Sequence, residues 1–227
     1  MTRRGAAATP KAEETRRKIL SAALDLFQER GFAETTMREI ARRAEVATGA
    51  AYYYFPSKEA IVMAFYWQTH REFDEGYRRR LAGIDDLAAR VRELIAMKLE
   101  QFRPFRDFLG ALFRAAGDPA SPLSPFGEET REIREQSIGH FRYAVEGAHV
   151  KLPPDLAGPV PYLLWLYQMG IVLFWIYDRS AHQARTRQLL EKSSELIATA
   201  IKLSRLRVLK PFRERILSLL EIVDVTA

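Results

Sequence analysis

An all-α fold is what the 227-residue sequence predicts. Apolar residues recur at helical spacing along nearly the whole chain, capping and stop signals bracket those runs, and almost nothing reads as a strand. A composition of 48% hydrophobic and 28% charged residues, with 12 Gly and 11 Pro, is that of a globular chain and not of a disordered or fibrous one. There is no cysteine, which excludes a disulfide scaffold, a thiol nucleophile, Cys-ligated zinc and iron–sulfur clusters, and suits a reducing compartment. A formal charge of +6, from 35 basic and 29 acidic residues, is a modest pointer to an anionic partner.

The elements follow in order. Residues 1–12 read as a flexible basic arm, polar and without an apolar segment, so no export signal is expected and the cytoplasm is the expected compartment. Ile19, Leu20, Ala23, Leu24 and Phe27 form an amphipathic stripe ended by Gly31. Thr36–Glu39 fits a capping box, with Met37, Ile40, Ala41 and Ala44 as the apolar face of the short helix it opens. Thr48–Phe55 forms another short helix, stopped by Pro56-Ser57, and Ser57 can cap a long helix from Lys58 to about Leu81. Further helices are expected over Asp85–Arg103, Pro104–Ala116, Glu128–Val145, Tyr162–Tyr177 and Gln183–Leu206, with a last short one near Pro211–Ile222. Pro-rich breaks fall at Asp118–Pro125 and Leu152–Pro161.

Ala157–Tyr177 carries no charge and imitates a membrane span. Pro159 and Pro161, however, must sit at or before its first turn. The helix left over is about 16 residues, roughly 24 Å, short of a ~30 Å hydrocarbon core, and Gln168 lies at its centre. A core helix covered on all sides is the expectation, and no membrane partner is expected.

The helix–turn–helix of residues 37–55 has a spacing that lets one helix cross DNA while the next enters the major groove, with the 19–27 stripe closing a three-helix bundle. In the second short helix Ala51 and Phe55 point inward with Val46, which turns Thr48, Gly49, Tyr52 and Tyr53 outward. Small residues at its leading end permit close approach to a backbone, and the tyrosine hydroxyls can donate to phosphate oxygens. Lys58 can add a phosphate contact at a helix N-terminus.

With these residues in view, Thr15–Gly31, Thr35–Ala41 and Val46–Glu59 resemble the TetR family of bacterial transcription regulators. The resemblance implies an N-terminal DNA-binding domain, a larger helical ligand-binding and dimerisation domain, a homodimer, and repression relieved by a small molecule. Carried over by position, Thr36 and Arg38 match phosphate-touching residues, Thr48, Gly49 and Ala50 the groove-facing start of the recognition helix, and Tyr52, Tyr53, Tyr54 and Lys58 backbone-contacting positions. The chain departs from the pattern at Glu45, where the turn commonly has Gly, and at Ala47, where a Ser cap is usual. Each departure costs about 1 kcal/mol in turn strain or lost capping. The domains expected are 13–58 for DNA binding and 59–227 for ligand binding and dimerisation.

Gly170 on one helix, and Ser193 and Ala200 beside Leu189, Leu196 and Leu203 on another, suit a four-helix dimer interface through roughly 162–206. Dense aromatics suggest a large apolar pocket for a hydrophobic, aromatic or acyl effector, with Trp67, His70, Phe102, Phe105, Tyr162, Trp165 and Gln168 as candidate lining residues. The four histidines, 70, 140, 149 and 182, show no His-x-x-x-His pair and, on this reading, no carboxylate at ligand spacing, so no metal site, cofactor or catalytic residue is expected. No phosphate-binding glycine loop and no nucleophile elbow occurs. A competing reading is a helical lipid- or small-molecule-handling protein with a vestigial DNA-binding module.

Overall fold

The computed structural model describes residues 9–116 and 121–222, and among them every regular element is a helix. The α-helices are α1 (Pro10–Arg30), α2 (Met37–Arg43), α3 (Thr48–Tyr54), α4 (Lys58–Leu81), α5 (Leu87–Phe102), α6 (Arg106–Ala116), α7 (Arg131–Gly147), α8 (Pro159–Tyr177), α9 (Ala184–Leu203) and α10 (Lys210–Ile222). The chain divides into two compact units: Met1–Thr69 with Phe105–Arg131, and His70–Pro104 with Glu132–Ala227.

In the first unit, α1 starts earlier than the sequence suggested. Pro10 occupies the first turn, where its missing N–H costs nothing, and Thr9 Oγ1 accepts a hydrogen bond from the Ala12 amide at 3.3 Å. Residues 10–12, expected in the basic arm, are therefore helical, and residues 1–8 lie outside the described residues. The buried face of α1 is Ile19, Leu20, Ala23, Leu26 and Phe27, and it ends at Gly31, whose φ of 91° favours glycine. α2 opens with the complete capping box: Thr36 Oγ1 accepts from the Glu39 amide at 3.3 Å, and Glu39 Oε2 accepts from the Thr36 amide at 2.9 Å. Helix α6 and the Phe105 that precedes it belong to this unit because their aromatics pack there. Phe108 stacks on Phe27 with ring centroids 5.4 Å apart, and Phe105 meets Phe65 edge-on at 4.8 Å. The unit thus reaches past residue 58 into α4 and takes in a segment distant in sequence.

The second unit is built on α5, which packs against α8 and α9. Its core gathers Phe73, Tyr77, Leu87, Leu94, Phe141, Leu164 and Trp165. Buried Arg90 is satisfied by main-chain carbonyls alone: Nε donates to Ala144 O at 2.8 Å, and the two terminal nitrogens to Leu81, Ile84 and Tyr143. It thereby ties the C-terminal end of α4 and the turn after it to the last turns of α7. A Cβ on Gly147 would come within 2.2 Å of that guanidinium, so the position has no room for a side chain. Between α8 and α9 the Asp178 carboxylate accepts from the Ser180 and Thr186 amides, both at 2.9 Å, and from both hydroxyls. Burial acts to raise its pKa, but these hydrogen bonds outweigh it and hold the carboxyl well below the usual range.

Helix α8 begins at Pro159 and is not covered on all sides, as the sequence had suggested. Val160, Leu164, Trp165, Gln168, Ile171, Val172 and Trp175 are buried, whereas Gly170, Leu173, Phe174 and Tyr177 are exposed. The cause is the limited number of neighbours: within the unit the helix packs on α5 and α9, which leaves a strip of its surface bare.

Candidate functional site

Helix α3 is fixed from beneath by Ala51, fully buried, and by Phe55 just beyond its end, 2% exposed, with the Arg16 guanidinium 5.0 Å over the Phe55 ring. With those anchors set, helical geometry turns the opposite face to solvent. Tyr53 is 83% exposed and Tyr52 51%, Thr48 and Gly49 are exposed, Ala50 and Tyr54 are half-buried, and Tyr54 meets Tyr53 edge-on at 5.3 Å. A Cβ on Gly49 would meet nothing within 4 Å and its φ is not left-handed, so the fold itself gives no reason for glycine there. The turn before α3 has the strain anticipated at Glu45, with φ 56°, and Ala47 caps the helix without a side-chain hydrogen bond.

Thr36 and Arg38 lie exposed on α2. Arg43 is committed to a two-point pair with Glu29, at 2.9 and 2.7 Å, and Arg30 pairs with Glu39 at 2.9 Å. Lys58 is held more tightly than the sequence suggested. Its ammonium donates to the Phe32 and Ala33 carbonyls at 2.7 and 3.1 Å and sits 4.7 Å from the centroid of the Phe32 ring. That uses two of its three donors.

In the second unit the exposed residues of α8 have a counterpart on α9. Leu189, Leu196 and Leu203, seven residues apart, are exposed, Leu196 by 70%, and Ala200 is exposed between them. Ser193 is bound to the Tyr167 hydroxyl at 2.6 Å, which ties the two helices together.

The same unit contains a polar cluster in an aromatic surround. The rings of buried His70 and His140 stack with centroids 5.2 Å apart, and both reach Asp74: His140 Nε2 at 2.5 Å from Oδ1, and His70 Nε2 at 3.5 Å from Oδ2. Tyr77 and Phe73 pack on His140 at 4.5 and 4.9 Å. Lys98 Nζ lies 4.1 Å from the Phe73 centroid and 5.2 Å from that of Phe102, and donates to Gln101 at 3.1 Å. Burial pushes the Lys98 ammonium down to about 7 against the pull of Asp74 and Glu72, and pushes His140 down to about 4 against the bond to Asp74.

Two family models match the chain: "Bacterial regulatory proteins, tetR family" over residues 19–65, and "Tetracyclin repressor-like, C-terminal domain" over residues 90–216. The second alone spans more than half of the sequence. The chain belongs to the TetR family of transcriptional regulators. The regulator UidR of Escherichia coli K12 is 31% identical over 91 residues, 40% of this chain and 46% of that protein, so the chain spans about half the length of this curated relative. A TetR-family regulator from Streptomyces coelicolor has the same fold, with a TM-score of 0.64 at 20% identity, covering 91% of this chain and 89% of that one. The fatty acid degradation regulator FadR from Bacillus halodurans gives 0.62 at 15% identity, covering 81% and 94%. These relatives are transcriptional regulators.

All nine candidate DNA-contacting residues fall inside the TetR match at 19–65, and the structure brings them together on and around α2 and α3. The candidate effector residues are not all in one unit. Half-buried Trp67 and Phe105 belong to the first, whereas His70, Phe102, Tyr162, Trp165 and Gln168 belong to the second, with Tyr162 and Trp165 in ring contact at 5.6 Å. Contrary to expectation, the histidines do have a carboxylate at ligand spacing. His70 and Asp74 stand at i, i+4 on α4, which is ligand spacing, and His140 joins them from α7 across 66 positions. The local pair was there to be read; the third member was visible only once α4 and α7 were packed.

Proposed function

We propose that this TetR-family chain is a cytoplasmic, ligand-responsive dimeric repressor that binds operator DNA and is released by a small hydrophobic or aromatic molecule. The exposed face of α3 carries the reading. It combines a glycine the fold does not need with two solvent-exposed tyrosines on a helix too short to be held by anything but its buried underside.

Thr48, Gly49 and Ala50 enter the major groove, and the Ala50 methyl is suited to a thymine methyl. Tyr52, Tyr53 and Tyr54 donate to phosphates, Thr36 and Arg38 add contacts from α2, and Lys58 offers its remaining N–H. The bare strips of α8 and α9 support a second copy as partner, joining two helices from each protomer into a four-helix interface. Twofold symmetry then presents two α3 helices about 34–36 Å apart, one turn of DNA. An effector bound among the aromatics of the second unit acts through α4, whose residues belong to both units. A change in the spacing of the two α3 helices weakens binding, and a coupling of about 1–3 kcal/mol gives a roughly 5–150-fold response.

The test is a gel-shift titration of the protein and its Tyr52→Ala variant against duplex fragments of its own genome. The proposal expects retarded complexes for the parent and none for the variant, with both proteins dimeric by light scattering. Equal binding by the two would remove α3 from the groove.

A further inference from the structure

We propose that His70, Asp74 and His140 form a binding site for a divalent transition-metal ion of the zinc and cobalt class. The three side chains offer two imidazole nitrogens and a carboxylate oxygen that all lie within 4.8 Å of one another. Two imidazoles with one carboxylate is the donor set such ions take, and it leaves coordination positions open for water or a further ligand.

The arrangement is more specific than proximity. Both imidazoles direct Nε2 at the same carboxylate, one to each oxygen, from two different helices. Ligand atoms about 2.0–2.2 Å from a tetrahedral ion lie roughly 3.3 Å apart. Asp74 therefore needs to withdraw from His140 by about 0.8 Å to admit the ion, a rotation available to a side chain that is 46% exposed. The imidazoles are fixed where the carboxylate is not: their side chains are 3% and 7% exposed, stacked on each other and walled by Phe73 and Tyr77. The site thus has a rigid floor and a movable carboxylate at its solvent edge, through which an ion can enter.

The surroundings supply outer support. Gln136 hydrogen-bonds His70 and so sets its ring. Lys98 and Arg78 are cations that compete for Asp74; Lys98 is engaged by Gln101, whose amide in turn donates to Glu72 at 3.3 Å, and Arg78 by the Tyr77 hydroxyl. A purely structural role would be met by the His140–Asp74 hydrogen bond alone and gives no reason for a second buried imidazole aimed at the same carboxylate.

The experiment uses the full, tag-free chain, stripped with chelator, desalted and titrated with Co2+ while the visible ligand-field absorption is followed. The expected result is a band that saturates at one Co2+ per chain and is bleached by one equivalent of Zn2+. Asp74→Asn and His140→Gln should weaken Co2+ binding by at least about 100-fold, the upper end of what even outer-shell changes cost. Asp74→Asn alters a half-exposed residue, so it carries the test if His140→Gln fails to fold, with helicity followed by circular dichroism. Lys98→Met should tighten binding several-fold. Replacing the exposed His149 and His182 with Gln should change nothing. Absence of a saturable band, full binding by Asp74→Asn, or loss of the band in the His149 and His182 variants would each overturn the assignment. None of these readouts depends on DNA.

Discussion

Two surfaces of this chain hold side chains in water that ordinary folding would bury or replace, and they differ in kind. On α3 the exposed groups are a glycine, a threonine and two tyrosines with free hydroxyls. On α8 and α9 they are Leu173, Phe174, Tyr177, Leu189, Leu196 and Leu203, apolar apart from one phenol, around exposed Gly170 and Ala200. The first surface suits a partner that is itself polar and charged, approached to backbone distance. The second suits a like surface, because apolar area is stabilised by more apolar area at about 25 cal/mol per Å². The same device, small residues beside large ones, serves both. Only the polarity of the large ones separates a surface suited to nucleic acid from one suited to protein.

The sharpest way to break the comparison is to give the second surface the polarity of the first. Leu196→Glu combined with Phe174→Glu puts unpaired carboxylates into the proposed dimer interface. Sedimentation should show a monomer at concentrations where the parent is dimeric, with operator affinity down by at least about 100-fold, since burial of unpaired charge costs several kcal/mol. Persistence of the dimer would move the interface elsewhere.

Gly49→Ala separates folding from recognition on the first surface. Alanine is favoured over glycine inside a helix by roughly 0.5–1 kcal/mol, and space is open around the new Cβ. Thermal unfolding should rise by that amount while operator affinity falls about tenfold, because the methyl holds α3 off the duplex. A gain in both would show that the glycine is not there for DNA.

A smaller effect is expected at Ala47→Ser, which supplies the missing cap of α3 and should stabilise the first unit by about 1 kcal/mol in denaturant melts. Smallest is the acid response of Asp178. Its lowered pKa means that its stabilising contribution is complete above the ordinary carboxylate range and is lost as pH falls through and below it. Asp178→Asn should flatten the stability profile on that acid side and leave α3 untouched.

How much of this could be read beforehand follows the range of the interactions. The Thr36–Glu39 capping box, the stop at Pro56, the Ser57 cap of α4 (its Oγ accepts from the Ala60 amide at 3.2 Å) and the outward face of α3 are local, spanning three or four residues, and the sequence displays them directly. The start of α1 differs from the expectation because Thr9-Pro10 reads as arm sequence although it is a cap followed by a favoured first-turn proline. The placement of α6 with the first unit depends on Phe108 meeting Phe27, and the bare strip of α8 on how few helices cover it; both are packing outcomes no local pattern encodes. The histidine cluster is intermediate. His70 and Asp74 are one helical turn apart, while His140 is brought in by the tertiary fold.

Whether α3 lies in a duplex groove once per subunit can be decided by selecting binding sites from a random duplex library with the 227-residue protein. The expected result is enrichment of an inverted repeat whose half-sites lie about one helical turn apart or somewhat further, lost for Tyr52→Ala. Enrichment of a single unrepeated motif, of nothing, or of the same repeat by the Tyr52→Ala variant would contradict it.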